Sequence, residues 1–344
     1  MGPATRVMVT GGAGYIGCRL VPALVNRGAY VLVVDKMIFG EDGLNGVRDH
    51  IDVRHADVRS LRVADLKGFD AVIHLAGLSN DPTSEFNPAA NQAINFRATA
   101  QLARSAKEAG VKRFVFASSC SVYYTESADG GIRIETDHIN PQRPYSWSKH
   151  QAERSLLELT DSDFCTVVLR KGTVFGCSPR MRYDLVVNTF TRDAFVKRRL
   201  NVQAGGRMWR PLLHIDDAVD AYISVLKADP SLVCGQIFNV LSGNYQVLAI
   251  AQEVRLALER KSGIKLELDV QPTGLSRSYQ VDGRKFCDTF GVALSRSVSD
   301  AAKEMWDVVV TTSDLDNPIY YNIEWLELLT DMERRLKQMG GGPL

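Results

Sequence analysis

The 344-residue chain reads as an α/β protein: a doubly wound parallel sheet with a smaller interleaved α/β substrate lobe. Three observations predict this. Short apolar runs alternate with helix-length amphipathic stretches as far as Gly172, the pattern of strand–helix–strand crossovers. The first run, Val7-Met8-Val9, leads into glycines at three-residue spacing, Gly11, Gly14 and Gly17, and then into a helix face of Leu20, Val21, Leu24 and Val25. The second run, Tyr30 to Asp35, ends in a carboxylate.

Glycines at a strand-to-helix turn let the backbone bend sharply and approach a pyrophosphate, whose charge meets the N–H groups at the helix start. Gly11, Gly14, Tyr15, Ile16 and Gly17 are therefore candidate cofactor contacts, and the sheet is of the Rossmann kind. Asp35 suits the two ribose hydroxyls of NAD and repels the 2′-phosphate of NADP, so NAD is the expected cofactor. Residues 51–58 read as a short strand ending at Asp57 and Val58. Residues 70–77 read as a buried strand whose end, Leu75-Ala76-Gly77, lets the backbone pass close to the cofactor. His74 within it reads as a hydrogen-bonded core histidine. Residues 88–109 form a long helix that carries Asn95. The strand 111–119 ends in the hydroxyls of Ser118 and Ser119. A polar loop over 125–144, a helix over 145–159 and a strand over 165–170 follow.

After Gly172 the alternation breaks. Helices are expected around 184–198, over 212–228 and over 247–260, with a strand at 236–240 and mixed short elements beyond 264. We assign 1–172 plus 212–240 to the NAD-binding domain and 173–211 plus 241–344 to the substrate-binding lobe. The terminal Gly-Gly-Gly-Pro-Leu is expected to fray.

Hydrophobic residues make up 45% and charged residues 24% of the chain, ordinary for a soluble protein. A net charge of +1 gives no electrostatic footing for nucleic acid or a membrane surface. No apolar run reaches membrane-spanning length, and the first strand begins too early to leave room for a signal peptide. Cys18, Cys120, Cys165, Cys177, Cys234 and Cys287 include no C-x-x-C pair, and no histidine cluster accompanies them. Reduced thiols of a cytoplasmic enzyme, and no metal site, are expected.

Tyr145 and Lys149 lie four residues apart, on one face of a helix. A free tyrosine titrates near ~10 and is a poor base at neutral pH. A neighbouring ammonium favours the phenolate. Tyr145 can then take a proton from a substrate hydroxyl, while Lys149 also reaches the nicotinamide ribose.

Thr10-Gly11-Gly12-Ala13-Gly14-Tyr15-Ile16-Gly17, Ser118-Ser119-Cys120-Ser121-Val122-Tyr123 and Tyr145-x-x-x-Lys149 together resemble the extended short-chain dehydrogenase/reductase superfamily, in particular its NAD-dependent nucleotide-sugar epimerases and dehydratases. The resemblance implies Ser119 as the catalytic hydroxyl beside Tyr145 and Lys149, and Ser118 on the cofactor side. It places Ser121 facing the sugar and Asp57 and Val58 beside the adenine, although Asp57 also reads as a simple turn acid. It has Asn95 holding the site together. A nucleotide-diphosphate sugar becomes the expected substrate. Arg210, ahead of His214-Ile215-Asp216-Asp217, and Arg277 match the two arginines that hold its diphosphate. Asn188 and Thr173 stand at substrate positions, Thr173 in place of an asparagine. Lys171 and Gly172 replace two aromatics, and Tyr124 stands where many relatives have glycine. Arg180 and Arg182 have two readings, solvated loop or substrate contact.

The 4,6-dehydratases carry an Asp-Glu pair where Cys120 and Ser121 stand, which argues against that elimination. Cys120 reads as a small packed residue. The expected activity is C4 epimerisation through a transient 4-keto sugar. A keto-sugar reductase, a dehydratase with other acid/base groups and a non-catalytic NAD-binding regulator are the alternatives. Relatives pair through the helices at 89–109 and 149–159, so a homodimer is expected.

Overall fold

The computed structural model describes residues 5–124, 131–272 and 278–339. Arg277, residues 125–130 of the polar loop and the glycine-rich terminus from 340 lie outside the described residues. The central sheet has seven strands in the order Gln236–Val240, Cys165–Lys171, Arg113–Ser119, Ala71–His74, Arg6–Thr10, Tyr30–Asp35 and Asp52–His55. Every pairing in it is parallel. Alternate residues supply two cores, one on each face. Val7, Val9, Val31 and Val33 belong to one, and Met8, Val34, Val72 and Phe114 to the other. Burial on both faces is why these strands read as continuous apolar runs.

Chain order reverses between Arg6–Thr10 and Ala71–His74, which opens a crevice at the carboxyl ends of the strands. The first turn there depends on glycine. Gly11 has φ +74°, and a Cβ on it would lie 2.5 Å from the backbone nitrogen of Ala76. A Cβ on Gly17 would lie 2.4 Å from the Gly12 carbonyl oxygen, so the helix Gly17–Val25 packs directly on the turn.

Several elements differ from expectation. The long helix over 88–109 is broken into Pro88–Asn91, a π-helical turn Gln92–Ala98 that contains Asn95, and Thr99–Glu108. Residues 51–58 shorten to the strand Asp52–His55 followed by a 3₁₀ turn Val58–Ser60. The helix expected over 212–228 begins only at Ile215. Trp209–His214 is a strand instead, set between Thr173–Phe175 and Gly243–Gln246. Leu212 and Leu213 are fully buried there, and an apolar run of that length does not reveal which element buries it.

Beyond the large sheet, the helices Val186–Val196, Val247–Ser262 and Val298–Val309 pack on one another. The last helix, Asn322–Gln338, returns to the large sheet, where Trp325 Nε1 donates to the carbonyl of Ile38. Among the described residues no helix is long and apolar enough to cross a membrane, and no cluster of three or more His, Cys, Asp or Glu residues is placed to hold a metal ion. All six cysteines are free thiols.

Candidate active site

A cavity of about 910 Å³ follows the carboxyl edge of the sheet. At one end it is walled by Gly11, Gly14, Tyr15, Ile16 and Gly17, in the middle by Leu75, Gly77, Ser118, Ser119, Tyr145 and Lys149, and at the other by Thr173, Arg210 and Tyr279.

Tyr145 enters from the first turn of the helix Pro144–Leu159, which Pro144 starts with a preset φ. It shares the cavity wall with Ser119, the last residue of Arg113–Ser119, whose side chain favours its phenolate. Ser119 Oγ accepts from the backbone N–H of Ser121 at 3.1 Å. Lys149, one turn on, donates to the Ala117 carbonyl at 3.0 Å, and its ammonium lies 5.9 Å from the Tyr145 ring centre. The Tyr145 phenol is raised, not lowered, because burial outweighs the opposite pull of the Ser119 side chain and the Arg182 charge. Burial also brings the Lys149 ammonium down to about 8, against the upward pull of Glu153.

Asn95 stands behind this trio, fully buried. Its carboxamide accepts from Leu78 N–H and donates to the Leu78 carbonyl, both at 2.8 Å, and donates to Asn91 Oδ1 at 2.6 Å. Asn91 in turn donates to the Pro144 carbonyl at 2.8 Å. One amide chain therefore ties the loop after Ala71–His74 to the start of the Tyr145 helix. The π-helical turn aims it, as such turns do at functional sites. A Cβ on Gly77 would lie 2.6 Å from Asn95 Oδ1, so that loop must be bare. His74 is neutral. Thr99 Oγ donates to the Asn95 carbonyl and so accepts from His74 Nε2, which leaves Nδ1 to accept from Thr10, and burial lowers the imidazole to about 3.

The other expected residues divide. Ser121 lines the cavity, and its buried Oγ has no hydrogen-bond partner among the described residues. Ser118 also lines it, with its hydroxyl turned inward to Glu153. Thr173 and Arg210 are on the far wall. Asn188 is not on the wall. It is fully buried, accepting from Gly176 N–H and donating to Tyr15 Oη and the Arg182 carbonyl, so it supports the wall from behind. Asp35 lies beside the turn, its carboxylate accepting from the N–H groups of Ala13 and Met37 at 3.1 and 2.9 Å. Asp57 caps its own turn and pairs with Arg59 at 2.6 Å, with Val58 buried next to it. Ala76 packs against Gly11. Cys120 is fully buried with its Sγ on the Arg170 carbonyl, and burial pushes its thiol up.

Arg180 and Arg182 are buried wall residues, not a solvated loop. Arg180 lies 3.8 Å over the Phe39 ring and donates to Asn322 Oδ1 at 2.6 Å, while Arg182 pairs with Asp184 at 2.7 Å. Sequence reasoning missed Phe39, the Leu78–Asp81 loop and Asn322, all of which line the cavity. The loop was findable, because it leaves the carboxyl end of a central strand, where α/β sheets bind ligands. Asn322 carries no local signal.

The reversed strand order, the glycine turn and the Ser–Tyr–Lys trio define an enzyme of the extended short-chain dehydrogenase/reductase class. Residues 7–240 match the family model of the NAD dependent epimerase/dehydratase family, and the chain belongs to that family. It is 26% identical to UDP-glucuronic acid decarboxylase 2 of Arabidopsis thaliana over 76% of this chain and 58% of that relative's length. It is 28% identical to the uncharacterised UDP-glucose epimerase YtcB of Bacillus subtilis (strain 168), over 76% of this chain and 84% of that one. Among solved structures, MoeE5 in complex with UDP-glucuronic acid and NAD has a TM-score of 0.72 at 26% identity, covering 88% of this chain and 99% of its own.

The residues present fit the family's NAD. The glycines wall a cradle that side chains would fill, and a helix N-terminus faces it. The same cavity runs on to Tyr145 and Lys149 and leaves room for a second ligand toward Arg210.

Proposed function

We propose that the chain is an NAD-dependent nucleotide-sugar epimerase that inverts C4 through a transient 4-keto sugar. The observation that carries this reading is that Ser119, Tyr145 and Lys149 line one cavity together with the glycine turn and Arg210. Gly11, Gly14, Tyr15, Ile16, Gly17, Asp35, Leu75, Ala76, Gly77 and Lys149 would hold NAD, with Asn95 fixing their geometry. When bound, NAD supplies reversible oxidation of the sugar carbon. Tyr145 would take the C4 hydroxyl proton and later return it, and Ser119 would orient the reacting oxygen. Lys149 would favour the phenolate once the cationic nicotinamide adds its charge to its own, overcoming the burial that raises Tyr145. Ser121, whose hydroxyl has no partner among the described residues, suits a sugar hydroxyl. Arg210 suits the nucleotide diphosphate, with Thr173 beside the sugar and Arg277 as its partner. We read 173–211 plus 241–344 as the substrate lobe, and the assembly as a cytoplasmic homodimer.

The test begins with the purified protein denatured and its released dinucleotide identified. Intact protein is then incubated with a panel of nucleotide sugars and no added cofactor. Tyr145→Phe should retain its NAD and lose about 10² to 10⁴ in turnover. Near-native turnover in that variant refutes the mechanism.

A further inference from the structure

C4 inversion needs one proton carrier at the C4 oxygen, yet the cavity holds a second ionisable group that this chemistry leaves idle. Lys171 ends the strand Cys165–Lys171 in parallel register with Ser119 and lines the same cavity. Its Nζ donates to the Ser118 carbonyl at 3.1 Å, while Lys149 holds the preceding carbonyl, that of Ala117. The two amines thus hold successive carbonyls of the strand that ends in Ser119.

Among the described residues Lys171 has no counter-charge. Glu153, the carboxylate buried beneath the site, is spent on Arg170 and Ser118. Among the described residues, the ionisable groups near Lys171 are Lys149, the Cys120 thiol and Tyr222, whose ring centre lies 5.8 Å from the Lys171 ammonium. Burial, reinforced by the Lys149 charge, lowers its ammonium to about 7, so amine and ammonium are both populated at neutral pH. A structural lysine is ordinarily found paired or in solvent. Cys120 cannot serve in its place, because it is sealed from the cavity and its thiol is pushed up by burial.

Resting on the C4-oxidation reading, we propose that Lys171 is a second acid/base, which exchanges the proton on a ring carbon flanking the C4 carbonyl, C3 or C5, of the bound keto sugar. The amine lone pair takes the C–H proton. The C–H electron pair becomes the C=C bond of an enolate, and the carbonyl π pair moves onto the C4 oxygen, where the hydroxyls of Tyr145 and Ser119 donate to it. The ammonium then returns a proton to carbon, and in the interval it exchanges with solvent. No electrons are gained or lost in this step. The ketone it requires comes from oxidation by the family's nicotinamide cofactor. The substrate class accordingly widens to nucleotide sugars whose configuration beside C4 changes while the keto form is held.

The test uses NAD-loaded enzyme in D₂O with UDP-glucose and dTDP-glucose as probes. Two quantities are read: reduced-nicotinamide absorbance, and deuterium at C3 and C5 of the recovered sugar by NMR. Wild type should place deuterium at one of these carbons. In Lys171→Met, deuterium per nicotinamide reduced should fall by about 10² or more. Lys171→Arg should fall as far, because a guanidinium keeps the charge but does not deprotonate. A purely electrostatic role predicts that the arginine variant keeps its deuterium, and that result overturns the proposal. Nicotinamide reduction in wild type with no deuterium at C3 or C5 also overturns it, while leaving C4 oxidation standing. No reduction with either probe overturns C4 oxidation on them, and this inference with it.

Discussion

The charge pair beneath the site offers a quantitative check on how the trio is held. Glu153 Oε2 accepts from Arg170 Nη2 at 2.7 Å, with side-chain exposures of 1% and 4%. Glu153 also accepts from the Ser118 hydroxyl, and Arg170 donates to Tyr123 Oη at 2.7 Å. Glu153→Met leaves a buried guanidinium without its counter-charge, which costs about 3–5 kcal/mol. It also strands the Ser118 hydroxyl, for about 1 kcal/mol more. The sum, about 4–6 kcal/mol, divided by an m-value on the order of 3 kcal/mol/M, lowers the urea midpoint by about 1.3–2 M. The double variant Glu153→Met/Arg170→Met removes both charges and leaves Tyr123 its hydrogen bond to Asn239. It should recover to within about 1.5 kcal/mol of wild type, since apolar replacement of a whole buried pair is often neutral. The assay is urea unfolding followed by circular dichroism at equal NAD content, because bound ligand adds stability of its own. A single variant within about 1 kcal/mol of wild type, or a double variant as unstable as the two singles summed, refutes the reasoning.

Gly77→Ala should drive its Cβ into Asn95 Oδ1 and shift the Leu78 loop, cutting turnover on the order of 10²-fold and lowering the NAD retained after gel filtration, whereas unchanged retention would show that the loop gives way freely. Lys149 has a folded value of about 8 against an unfolded one near ~10.4. Between those values the unfolded chain carries a proton that the folded chain lacks, so the stability of NAD-stripped protein should gain up to about 1.4 kcal/mol per pH unit from this group as pH rises. Lys149→Met should remove that contribution, and identical pH slopes in the two proteins count against it. A homodimer pairing through the helices Thr99–Glu108 and Pro144–Leu159 should show twice the chain mass in light scattering, and a charge placed at Trp147, which meets Phe96 edge-on at 5.8 Å beside that face, should split it. A monomer at micromolar concentration would end that expectation.

The sequence by itself determined the sheet and residues that wall the cavity at its edge. Val7–Val9, Gly11, Gly14, Gly17 and Asp35 were legible because strand, turn and helix signals are local, and because only glycine accepts the close approach of Ala76 to Gly11 and of Gly12 to Gly17. Tyr145 and Lys149 were legible for the same reason, since a helix fixes residues four apart on one face. What tertiary structure decided was every role that depends on a distant partner. Asn188 carries the same amide wherever it points, and its three bonds to Gly176, Tyr15 and Arg182 take it off the cavity wall. Arg180 and Arg182 read equally as solvated loop or substrate contact, and it took Phe39, Asn322 and Asp184 to show that they are enclosed. Leu212 and Leu213 read as the start of a helix, and pairing with the strands Thr173–Phe175 and Gly243–Gln246 makes them strand instead. Ionisation lay furthest from the sequence. Tyr145 is raised rather than lowered, and Lys171 is brought to about 7, because desolvation is set by what surrounds a side chain in space and not by its neighbours along the chain.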